Sequence, residues 1–197
     1  MSDIAHLKSA IIGDSHAYAY AGSHNAILVN QGITLFSVLR DGLINYVAGP
    51  ATRYDPITLS LGSVDIRHHV IRNATNAVSM ARMYLREVKS IMDEFGITIN
   101  VCIPVPIEHE ERVMSSSNKY RGTYYYGSQY ERRVWLDAFT NVILDQDDVK
   151  YVAPHEAWYM MPPGEFSETY MEKAKGPHIN PLYSRSNHVG WRFPTCS

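Results

Sequence analysis

The chain has 197 residues, enough for one domain with a full core and too few for two of ordinary size. Hydrophobic residues at 45% and charged residues at 19% match a globular protein and exclude a disordered, collagenous or membrane-spanning composition. A net charge of -2 gives no electrostatic reason to expect nucleic acid or an anionic membrane as partner.

In chain order, Ala10, Ile11 and Ile12 are apolar in succession, as in the strands of parallel sheets. Gly13 lets the backbone turn, and Ser15 arrives just past the strand's carboxyl end, where open α/β sheets place their chemistry. Residues 17–21 are compatible with a helix leading away, whose nearby N–H groups would suit an anion. Alternatively, Asp14 and Ser15 only cap that helix. Residues 22–30 read as a polar turn region. Residues 32–39, with β-branched and aromatic side chains between breakers, predict a second strand. From 43 to 55 the signal is mixed, with Gly49-Pro50 breaking any helix.

The third strand is expected over 56–61. An apolar stripe at three- and four-residue steps predicts an amphipathic helix over 72–95, stopped by Gly96. A fourth strand over 97–105 completes a βαβ unit, which implies a parallel sheet with right-handed crossovers. Residues 108–129 are polar and read as an exposed excursion. Helical spacing resumes over 130–144, residues 149–152 form a short fifth strand, and 154–176 are irregular. Without repeats or linkers, the expectation is a single α/β domain over 1–197. Its architecture would be a three-layer sandwich, a mostly parallel five-stranded sheet with helices on both faces. Ser15, Gly42, Asp65, Arg67 and the residues after Val105 would then converge on one rim.

A serine hydroxyl needs a base, and histidine suits that work near neutral pH. Among the nine histidines, His68-His69 point apart and His109 lacks H-E-x-x-H spacing. No Cys-x-x-Cys pair, calcium loop or Gly-rich phosphate loop occurs, so no metal or cofactor is expected. The cysteines, Cys102 and Cys196, do not make a disulfide framework, and Cys102 reads as a buried thiol. The opening shows no basic segment with a long apolar stretch, so the expected location is cytoplasmic. The Tyr- and Arg-rich stretch over 119–133 offers flat faces for sugar rings or for self-association into a homo-oligomer; the plainer reading is a solvated loop.

Gly13-Asp14-Ser15-His16-Ala17 resembles the first block of the SGNH (GDSL-type) hydrolases. It is closest to the G-D-S-H-A variant of domains associated with acylation of bacterial surface sugars. The resemblance implies a flavodoxin-like sheet, Ser15 as nucleophile, and Asp14 and His16 as its supports. Lys175-Gly176-Pro177-His178-Ile179-Asn180 resembles the family's final block, implying His178 as base with Asn180 in support. Lys175 stands where that block carries its aspartate. Ser15 and His178 then act as a dyad oriented by a carbonyl or by Glu165, Glu168 or Glu172, or the site is impaired, or His178 is a loop residue without a role. Leu59 to Asp65 resembles the third block, with Val64 in place of the oxyanion-binding asparagine. Gly62 to His68 is similar to the G-E-I-D-C-R-x-H pattern of a divergent branch, which makes Asp65 and Arg67 candidates for the oxyanion and substrate site. A second reading of Asp65 and Arg67 is an ion pair that holds the loop. Gly42 is the match to the second block's glycine, with Gly32 competing.

The implied activity is that of a serine esterase or acyltransferase on small acetyl-type O-acyl esters, including those of glycans, through an acyl-serine. Lys175 and Val64 support the alternative, a binding or structural module on a catalytically degenerate scaffold.

Overall fold

The computed structural model describes residues 8–20, 22, 24–71, 73–105 and 128–154. Strand β1 (Lys8–Gly13) leads into a 3-10 helix over Ser15–Tyr20 and then β2 (Ala26–Val29). Helices α1 (Leu35–Asp41) and α2 (Ile44–Ala51) precede β3 (Tyr54–Ser60). A π-helical turn over Asp65–His69 follows, then α3 (Ala77–Phe95), β4 (Ile99–Cys102), α4 (Gln129–Leu144) and β5 (Lys150–Val152).

The five strands form one sheet in the order β2-β1-β3-β4-β5, and every neighbouring pair is parallel. The direction of travel across the sheet reverses between β1 and β3. Right-handed crossovers must then fall on opposite faces for the two directions. The packing follows that rule. Ile57, Leu59, Ile99 and Val101 meet Leu35, Val47, Leu85 and Phe139 of the α-helices on one face. On the other face Ile11, Cys102 and Val152 meet Ala17 and Tyr20 of the 3-10 helix.

The main departure from expectation lies between β1 and β3. The second strand is Ala26–Val29, inside the stretch read as a turn, and the segment expected to be that strand is largely α1. Thr34 starts α1 with a reciprocal cap: its hydroxyl accepts from Ser37 N, and its own N–H donates to the Ser37 hydroxyl. Local β propensity loses to that cap and to the burial of Leu35 and Val38. α2 also forms where Gly49-Pro50 is expected to forbid it: Pro50 stands next to last, so it removes one ladder bond and the helix ends one residue later at Ala51. α3 begins only at Ala77, capped by Asn76, whose side chain accepts from Ser79 N. Gly96 closes it in the left-handed conformation at φ 63°.

Candidate active site

The carboxyl end of β1 is held tightly on both sides. Asp14 N donates to Ser60 O at 3.1 Å, and Asn30 N donates to Gly13 O at 2.9 Å. A Cβ on Gly13 would stand 2.1 Å from Ser60 O, so glycine is dictated by the close approach of β3. The 3-10 helix therefore starts at the point where the strand order reverses, the usual ligand crevice of such sheets. Ser15 is its first residue and is half-buried, while Asp14 and His16 on either side are buried.

Asp14 folds its carboxylate back over the turn. Its Oδ1 accepts from His16 N at 2.7 Å and lies 3.0 Å from His16 Nδ1. The capping role considered for Asp14 is thus present, and it leaves Ser15 at the head of the turn. The other ring nitrogen, His16 Nε2, meets Arg67 Nη1. A guanidinium only donates, so Nε2 is the acceptor and the ring proton sits on Nδ1, directed at Asp14. Aspartate, imidazole and guanidinium form a buried row that joins the β1 turn to the segment after β3.

Arg67 and Asp65 come from the same π-helical turn but do different things. Asp65 Oδ2 accepts from Leu35 N at 2.6 Å and Oδ1 from Phe36 N at 3.1 Å, so its carboxylate holds the amino end of α1. The ion pair with Arg67 is therefore not formed: the Asp65 oxygens are turned to α1 and the Arg67 guanidinium to His16. Burial pushes the Asp65 carboxyl up to about 7, against the lowering effect of the Phe36 and Leu35 N–H groups.

Gly42 closes α1 at the end opposite the one Asp65 holds. Gly32, in the β2–α1 connection, is the glycine placed beside the carboxyl ends of the strands, at φ 75°.

Further polar groups tie the rim together without a local sequence signal. Ser63 Oγ accepts from Val105 N at 3.2 Å, and Tyr20 donates its hydroxyl to Ile103 O at 2.6 Å. Burial pushes the Cys102 thiol well up, partly offset by a hydrogen bond with Ser60; it is a buried, free cysteine as expected. His178, Asn180, Lys175, the three glutamates and Cys196 lie outside the described residues, as do residues 119–127 of the Tyr-rich stretch. Among the described residues no group of three or more His, Cys, Asp or Glu side chains is placed to hold a metal ion. Within the same residues, no helix is long and apolar enough to cross a membrane.

No family model and no curated protein sequence matches the chain. Solved structures do. A GDSL-like lipase from Bacteroides thetaiotaomicron superposes with a TM-score of 0.60 at 9% identity, over 93% of this chain and 86% of that one. A candidate acylhydrolase from Bacteroides fragilis gives 0.63 at 11% identity, over 95% and 86% of the two chains. An acetyl xylan esterase gives 0.55 at 13% identity, over 90% and 94%. The chain has the fold of these hydrolases. At such identities the likeness is one of fold alone.

Proposed function

We propose that this protein is a serine esterase or acyltransferase acting on small O-acyl esters, with glycan esters as the substrate class. In this reading Ser15 Oγ attacks the ester carbonyl and gives its proton to His178. The alkoxide of the substrate then leaves, taking that proton, and the acyl group stays on Ser15. Water, or a sugar hydroxyl, attacks the acyl-serine and returns the proton through His178. The oxyanion would be held by backbone N–H groups, with Ser15 and Gly32 as the candidates. Asp14, His16 and Arg67 act as positioning residues: they fix the turn on which the nucleophile stands.

The observation that carries this reading is the half-buried Ser15 at the switch point, flanked on both sides by buried, mutually bonded side chains. A fluorophosphonate probe and a short-chain aryl ester test it. Labelling and turnover that both vanish in Ser15→Ala, with the fold retained, are expected; labelling that survives Ser15→Ala rules the reading out.

One observation favours the second reading, a binding module on the same scaffold. Arg67, the residue standing in for the missing oxyanion asparagine, is 1% exposed and its guanidinium meets His16. A module of this kind would bind a glycan equally well in the wild type, Ser15→Ala and His178→Ala, without turnover in any of them.

A further inference from the structure

Away from the strand rim, α3 and α4 enclose a groove of about 310 Å³ lined by Arg82, Leu85, Arg86, Lys89, Val142 and Gln146. None of these residues belongs to the candidate active site. Arg82, Arg86 and Lys89 stand four and three positions apart, which puts them on one face of α3. Lys89 is already engaged, with Nζ 2.8 Å from Asp148 Oδ1 and 2.8 Å from Gln146 Oε1. Glu87, the carboxylate nearest in sequence, reaches the other way and accepts from Leu43 N at 2.7 Å. Arg82 and Arg86 are left without a hydrogen bond or ion pair among the described residues.

Two like charges one helical turn apart repel, and a protein of net charge -2 gathers them here without a carboxylate between them. We propose that the groove binds a phosphoryl group carried on a small, partly apolar ligand. The chemistry selects that class. One guanidinium fork satisfies both oxygens of a carboxylate, so a second fork adjacent to it would be left over. A terminal phosphate has a further oxygen and a second charge, and can take both forks at once. Leu85 and Val142 supply an apolar floor for the remainder of the ligand. The volume is at the small end of ligand sites.

Isothermal titration of the full chain with pyrophosphate and with inorganic phosphate, at low ionic strength, tests this. Both probes should bind saturably, pyrophosphate more tightly. The double variant Arg82→Gln/Arg86→Gln should bind pyrophosphate roughly tenfold more weakly or worse. Pyrophosphate should raise the melting temperature of the wild type and not that of the double variant. Aryl-ester turnover should be the same in both proteins, because neither arginine belongs to the rim. Absence of saturable binding, equal binding by the double variant, or sulfate binding as tight as pyrophosphate would each overturn the assignment.

Discussion

At position 13 a side chain has nowhere to go. The atom that a Cβ would strike is the Ser60 carbonyl oxygen, 2.1 Å away, and backbone cannot swing aside as a long side chain can. Gly13→Ala should therefore destabilise the protein by about 1–3 kcal/mol or more, read as a lower urea midpoint. Arg67 poses the opposite problem, a buried cation whose guanidinium meets an imidazole and, through it, the Asp14 carboxylate. Arg67→Met keeps much of the volume but removes the donor and the charge, and should cost about 3–5 kcal/mol. Arg67→Lys should recover only part of that loss, since a point charge does not reproduce the fork. If Arg67 positions the nucleophile's turn, probe labelling of Ser15 should slow in Arg67→Lys under conditions where the fold is intact.

Among the elements, α1 shows how a distant residue overrides local preference. The Leu35 and Phe36 N–H groups end on the carboxylate of Asp65, 30 and 29 positions away. The same carboxylate makes stability depend on pH. Its folded-state value is about 7 against an ordinary 3.8, so as pH rises the unfolded chain releases the proton first. Between these values the folded state holds more protons, and stability falls with rising pH by at most about 1.4 kcal/mol per unit. Below about 4 and above about 7 this contribution is level. Asp65→Asn should flatten that slope in denaturation curves taken from pH 4 to 7, and should cost about 1 kcal/mol at the acid end through the weakened cap. Within α4, Phe139 is fully buried and reaches 3.2 Å from where a Gly62 side chain would begin. Phe139→Ala should cost about 3–5 kcal/mol by calorimetry.

Across the whole molecule the sheet is graded from centre to edge. Among the described residues β1, β3 and β4 are paired on both sides and β2 and β5 on one, and Ile27 and Leu28 of β2 are 37% and 38% exposed. Hydrogen exchange should protect Ile57–Leu59 and Val101 longest and release β2 amides first; equal protection of β2 and β3 would contradict this order.

How much of this was legible varies with the range of the forces involved. Ala10 to Ile12 is a continuous apolar run, and Ile57 to Leu59 and Ile99 to Cys102 are apolar but for one small polar residue each, Thr58 and Asn100, as strands buried on both faces favour. The stripe of α3 and its stop at Gly96 are equally local, and the five-stranded parallel sheet follows from their alternation. The turn after β1 is legible in the Gly13 to Ala17 block for the same reason: a glycine, a capping aspartate and a serine act on their immediate neighbours. What those residues meet was decided only by tertiary structure. The edge strand β2 is too short and too exposed to declare itself, and α1 depends on a carboxylate brought from beyond β3. Gly32 precedes α1 and Gly42 closes it only because the stretch between them is a helix, and His16 meets Arg67 across 51 positions of chain. Periodicity and turn chemistry are properties of neighbours in sequence; hydrogen bonds between distant segments exist only after the sheet has been assembled, which is why no local pattern announces them.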